Sequence, residues 1–213
     1  MRELFIARHA LAGSNERGLA SYAAPGEGLT HEGVEQARGL GRLLEHEEIA
    51  LGVATDLRRT QETLELALDG RDVPRIVVPE LNEIHFGSFD AGVLSAYRKW
   101  AGSETPTVPA PGGGESRAQA AARFARGLRV VLGRAEESAL VIGHALGIRY
   151  ILDAANGLVP ASLMMAPVEH ATPHRLTADE AATAAELLEQ WSRLPTFREP
   201  LLEGTQESER GAE

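Results

Sequence analysis

A chain of 213 residues, 43% hydrophobic and 24% charged, has the composition of a soluble globular protein and the length to bury one large core. It has no cysteine, which excludes disulfides, thiolate zinc sites and cysteine nucleophiles. A net charge of −10 argues against nucleic acid or an anionic membrane as the main partner. No apolar run approaches the ~20 residues of a membrane span, and the first is broken by Arg8, so neither a membrane segment nor a signal peptide is expected and a cytoplasmic location is.

Glu3 to Ala7 reads as a first buried strand ending at Arg8-His9-Ala10. An irregular polar segment follows to Gly28. Thr30 is then an N-cap, with Val34, Ala37, Leu40 and Leu44 at helical spacing. Leu51 to Ala54 is a short apolar run, and Thr55-Asp56 a cap signal for a helix reaching Leu68. Arg75 to Val78 is β-branched and reads as a buried strand.

Residues 88–114, rich in Pro and Gly, are expected to be a short loop-rich cap insertion. Glu115 to Arg134 reads as a long helix. Ala139 to Gly143 is a second strand, ending at His144-Ala145, with a helix from Gly147 to Ala155. Ser162 to Ala166 and His170 to Leu176 are candidate short strands. Thr177-Ala178-Asp179-Glu180 is a capping box opening a helix to Arg193, expected to pack on the sheet edge or on a second subunit. Residues 201–213 have the composition of a disordered tail. The alternation predicts a three-layer α/β/α sandwich with a mostly parallel central sheet.

Ligands bind beyond the carboxyl ends of such strands, so two strands that each end in a histidine could aim both imidazoles into one pocket. There an imidazole is a nucleophile or base, and the Arg8 guanidinium an anion clamp; in an isolated surface loop the same pair would be neither. Lys99 is the only lysine, so cationic recognition falls to arginine, the better fork for phosphate or carboxylate.

Six segments occur in order: Arg8-His9 with Asn15, Leu29-Thr30-His31-Glu32-Gly33, Leu57-Arg58-Arg59-Thr60-Gln61-Glu62-Thr63, Leu81-Asn82-Glu83-Ile84-His85-Phe86-Gly87, Pro111-Gly112-Gly113-Gly114-Glu115-Ser116 and Gly143-His144. Together they resemble the histidine phosphatase superfamily, the phosphoglycerate mutase-like family, over residues 2–155. The resemblance implies that fold, with residues 1–200 as a single domain. It implies His9 as a nucleophile forming a phosphohistidine, Glu83 as the acid protonating the leaving oxygen, and His144 as the second catalytic histidine. Arg8, Asn15, Arg59, His144 and Ala145 would hold the phosphoryl group.

No metal or cofactor is implied, because two arginines can stabilise a transferring phosphoryl group electrostatically. The arginines should hold His9 neutral, and burial should raise the Glu83 pKa. His144, if protonated, would stabilise the same oxygens. Arg58 is expected to be exposed, His85 structural or at the rim, and Trp100 and Trp191 packing residues. Ala10 and Ala145 stand where the family has glycine, and fit if their φ is negative.

The short cap leaves the site open to water, so the expected activity is metal-independent hydrolysis of a small phosphomonoester. Mutase-type transfer, phosphohistidine protein phosphatase activity and non-catalytic phosphate binding are the alternatives. A homodimer is the base-rate expectation.

Overall fold

Four parallel strands and one antiparallel strand form the centre of the computed structural model, which describes residues 1–162 and 167–198. The strands are β1 (Glu3–Arg8), β2 (Gly52–Ala54), β3 (Arg75–Val77), β4 (Ser138–Gly143) and β5 (Pro173–Thr177), in the order β3-β2-β4-β1-β5. Only β5 runs antiparallel, against β1. The helices are α1 (Gly13–Glu16), α2 (His31–Leu43), α3 (Arg58–Ala67), α4 (Leu94–Ser103), α5 (Arg117–Leu132), α6 (Ala145–Ala155) and α7 (Ala178–Arg193).

Successive strand residues point to opposite faces, and both faces are covered. Leu4 and Ile6 of β1 and Ala139 and Val141 of β4 pack with the buried residues of α5, α6 and α7. Phe5 and Ala7, with Leu140 and Ile142, pack with those of α2 and α3. This is the expected three-layer sandwich, built on near-continuous apolar strands.

The capping residues set the helix starts. Thr30 accepts the Gly33 N–H, and Ser116 and Thr177 form capping boxes with Gln119 and Glu180. Thr55 is not such a cap. Leu57 takes the N-cap position of α3, which frees the Thr55 hydroxyl for the site below.

Three other expectations are corrected. β3 is an exposed edge strand, since only β2 pairs with it. The region 88–114 holds α4, whose Tyr97 packs edge-on against Phe86 with ring centroids 4.8 Å apart. The β5 strand starts only at Pro173, with His170 in an isolated bridge to Arg8. Helix α7 lies against α5 and α6: its stripe of Ala181, Ala184, Ala185, Leu188 and Trp191 is buried with theirs in one core, which also takes in Leu176 of the edge strand β5. Of the Ser162 to Ala166 segment, 163–166 lie outside the described residues, as does the tail 201–213. Among the described residues, no helix is long and apolar enough to cross a membrane.

Candidate active site

Adjacent parallel strands bring the two histidines together. Arg8 of β1 is in register with Gly143 of β4, so His9 and His144 leave the sheet side by side. Their ring centroids are 5.3 Å apart, and both side chains are buried.

The His9 Nδ1–H donates to the Ala10 carbonyl at 2.7 Å, which leaves the lone pair on Nε2. That nitrogen accepts from Arg59 Nε at 3.1 Å. Burial, and then the fields of Arg59 and Arg8, hold His9 well below the usual imidazole range. The ring is neutral as expected, with desolvation a larger cause than the arginines.

His144 is fixed in the other tautomer. Arg59 Nη2 lies 3.3 Å from His144 Nδ1, and a guanidinium can only donate, so Nδ1 accepts and Nε2 carries the proton. His144 Nε2 then donates to Thr55 Oγ1 at 3.0 Å, and Thr55 meets Thr60 Oγ1 at 2.9 Å. Thr60 passes the chain on to the Leu57 carbonyl at 2.7 Å. His144 is held well below the usual imidazole range by burial and Arg59, so it stands neutral here rather than protonated.

Arg59 is itself held. Its Nη2 donates to the Ser21 carbonyl at 2.9 Å and its Nη1 reaches Ser21 Oγ at 3.3 Å. Arg8 donates Nη1 to the Val168 carbonyl at 2.9 Å. The buried Arg8 Nε and Ser14 Oγ have no partner among the described residues, and Arg8 and Ser14 line the cleft. Asn15 also lines it, while its Oδ1 takes the Ala12 N–H at 3.3 Å.

Glu83 lines the same cleft, and its Oε1 accepts the Ile84 N–H at 3.0 Å. Burial raises its pKa against the pull of that bond and of Arg59 and Arg8. The loop carrying it is clamped by α5: Arg123 donates to the carbonyls of Glu80, Asn82 and Glu83 and bidentately to Glu115. Glu115 in turn accepts the His85 N–H at 2.9 Å.

Two glycines of the quoted segments have a steric reason. A Cβ at Gly33 would stand 2.0 Å from the Leu11 carbonyl oxygen, so only glycine lets α2 approach the loop after His9. Gly87 has φ +58°, and a Cβ there would stand 2.1 Å from the Pro111 carbonyl oxygen. Neither Ala10 nor Ala145 has a positive φ, so both methyl groups are accommodated; the Ala10 N–H donates to Thr63 Oγ1 at 3.0 Å.

All seven sequence-derived residues, Arg8, His9, Asn15, Arg59, Glu83, His144 and Ala145, meet at this place. Six of them line one cleft of about 530 Å³, and His144 reaches them through Arg59. Arg58 lies outside, exposed and paired with Glu62 at 2.6 Å. His85 stacks on Tyr22 at 4.3 Å, Trp191 is buried and Trp100 joins the aromatic cluster of the cap. Sequence reasoning missed Ser14, Thr55 and Arg123, and left open whether His170 lies at the pocket mouth; its Nδ1 meets the His9 carbonyl at 2.7 Å. Thr55 was visible only as a cap signal, and nothing in the spacing marked the others.

The histidine phosphatase superfamily (branch 1) family model matches residues 4–191. The adenosylcobalamin/alpha-ribazole phosphatase of Salmonella typhimurium is 40% identical over 87 residues, 41% of this chain and 43% of that protein. The match thus spans less than half the length of that relative. The 2,3-bisphosphoglycerate-dependent phosphoglycerate mutase 2 of Gloeobacter violaceus is 31% identical over 160 residues, covering 68% of this chain and 72% of that one. Among solved structures, the alpha-ribazole phosphatase from Shigella flexneri superposes with a TM-score of 0.70 at 26% identity, over 81% of this chain and 89% of that one.

Proposed function

The chain belongs to the histidine phosphatase superfamily, and on that premise we propose that it is a phosphatase that hydrolyses phosphomonoesters through a phosphohistidine on His9. The observation that carries this reading is the neutral, buried His9 whose Nε2 lone pair faces the Arg59 guanidinium. An imidazole in that state attacks phosphorus, and the guanidinium meets the equatorial oxygens where charge accumulates.

Arg8 supplies the second fork, and its unpartnered Nε and the Ser14 hydroxyl are further donors at the same end of the cleft. Glu83, whose pKa burial raises, gives its proton from the protonated form to the leaving oxygen. As a carboxylate it then takes a proton from the water that attacks the phosphohistidine. His144 keeps Arg59 in plane, its Nδ1 accepting from Arg59 Nη2.

Two residues of positive charge and a neutral nucleophile complete the electrostatics, so the activity is proposed to need no metal or cofactor. Cytoplasmic location and homodimer formation stay expectations of the sequence. Release of inorganic phosphate from a panel of phosphomonoesters in EDTA, by wild type and His9→Ala, tests the reading. The panel includes alpha-ribazole phosphate, because alpha-ribazole phosphatases are among the relatives. Metal-independent release that His9→Ala abolishes supports it; release that survives His9→Ala overturns it.

The mutase relative favours a second reading, in which the phosphohistidine returns its phosphoryl group to a sugar acid. The cap of 88–114 is short, which lets water compete for that group and supports hydrolysis. Interconversion of 3- and 2-phosphoglycerate faster than phosphate release would decide for the mutase.

A further inference from the structure

The cleft extends past the phosphoryl end, and that extension carries two polar groups the hydrolytic chemistry does not use. Tyr150 lies five residues along α6 from Ala145, about 7.5 Å of helix rise. It is 2% exposed, lines the cleft, and its hydroxyl has no hydrogen-bond partner among the described residues. Burial raises its pKa, so it is a donor at every working pH. A buried hydroxyl left without a partner carries a desolvation cost that a ligand acceptor would remove.

Arg117 lines the same cleft and is 7% exposed. Its Nη1 and Nη2 donate to the Ser162 carbonyl at 3.1 Å and the Glu104 carbonyl at 2.6 Å, both uncharged. Its guanidinium lies over the Phe197 ring at 4.3 Å. Among the described residues no carboxylate pairs with it; Asp153, one turn beyond Tyr150, is paired with Arg198 at 3.0 Å. Buried charge without a counter-charge is costly unless something supplies one.

The charge balance of the cleft points the same way. Among the described residues that line the cleft are four arginines, Arg8, Arg59, Arg117 and the more exposed Arg98, and one carboxyl group, Glu83, with Asp90 and Glu169 acting on Arg59 and Arg8 from outside the lining. One phosphomonoester dianion balances two of them. The rest of the lining is largely apolar and includes Ile84, Phe86, Leu94 and Leu146.

We infer that Arg117 and Tyr150 form a subsite for a second acidic group on the leaving half of the substrate, a carboxylate or a second phosphate joined to the first by an apolar body. The inference rests on the phosphatase reading for its turnover test but not for its binding test.

The turnover test compares 4-carboxyphenyl phosphate with 4-carbamoylphenyl phosphate, which match in shape and differ in charge, and adds 1,4-phenylene bisphosphate as the second-phosphate arm. The wild type should prefer the carboxylate or the bisphosphate over the amide by about tenfold or more in kcat/KM, the size of one charge-assisted contact. Tyr150→Phe and Arg117→Met should each bring the ratio towards one. Tyr150→Phe removes only an oxygen without a partner, so it keeps the fold even where Arg117→Met does not. A wild-type ratio near one for both acidic esters, or a ratio unchanged in Tyr150→Phe, overturns the subsite.

Calorimetric binding of 4-phosphonobenzoate against 4-phosphonobenzamide separates the two readings. Tighter binding of the benzoate that Tyr150→Phe weakens, in a protein that hydrolyses none of the esters, upholds the subsite and rejects the phosphatase. Equal binding of the two phosphonates rejects the subsite.

Discussion

Arg59 Nε stands 3.1 Å from His9 Nε2, while Nη2 of the same guanidinium stands 3.3 Å from His144 Nδ1. One side chain from α3 thus fixes the tautomers of two imidazoles that come from β1 and β4. A lysine keeps the charge but cannot make both contacts and the bond to Ser21. Arg59→Lys is expected to lower kcat/KM by about 10²–10³, the loss typical of removing one preorganised donor at a charged transition state. Phosphate release measures this. A variant within threefold of wild type would remove Arg59 from the reacting centre.

The pH dependence follows from two opposite shifts. His9 is held below its ordinary value, so it stays neutral as pH falls through 6.5, and the acid limb of kcat/KM lies lower than that. Glu83 is raised above 4.5, so it stays protonated past that pH and the alkaline limb begins higher. Glu83→Gln should erase the alkaline limb and slow alkyl phosphates by about 10²–10⁴. Slowing should be much smaller for 4-nitrophenyl phosphate, whose leaving group needs no proton. Equal slowing of both esters, with the alkaline limb intact, would place the proton donor elsewhere.

What the sequence disclosed depended on whether a residue's role is local. His9 and His144 were legible because buried strands are apolar runs and each run stops at its histidine. Thr30 and Thr177 were legible because capping is settled within four residues. Thr55 resembles a cap in sequence but meets His144 from 89 positions away, a contact that only the packing of β2 beside β4 creates. The edge position of β3 was hidden because β-branched residues mark a strand without saying how many neighbours it has. Helix α4 was masked by the Pro and Gly residues that follow it.

Thr55 supplies the acceptor for His144 Nε2 and has no other route to the chemistry. Thr55→Val leaves that buried N–H unpaired, a cost of about 1–3 kcal/mol. The expected result is a kcat lower by roughly tenfold or more at little changed KM, since the ring loses the hydrogen bond that orients its Nε2 side while Arg8 and Arg59 still bind the phosphate. Thr55→Ser should restore most of the activity, because the hydroxyl returns. If Val and Ser behave alike, the hydroxyl is not what orients His144.

Arg123 never touches the reacting atoms, yet it determines where Glu83 stands. Its guanidinium holds three carbonyls of the Glu80–Glu83 loop and the Glu115 carboxylate, with 15% and 21% of the two charged side chains exposed. Arg123→Met strands that carboxylate, for which about 3–5 kcal/mol is the cost in a fully buried pair, less here because both partners keep some solvent. Thermal melting should register a clear loss. Arg123 also lowers the Glu83 pKa through its positive field, against the larger effect of burial. Removing it should therefore move the alkaline limb of the pH profile to higher pH while kcat falls. Arg123→Lys keeps the positive charge and loses the fork, so it should leave the limb near its wild-type position and still lower kcat. A purely structural role would lower stability in both variants and leave the limb where it was.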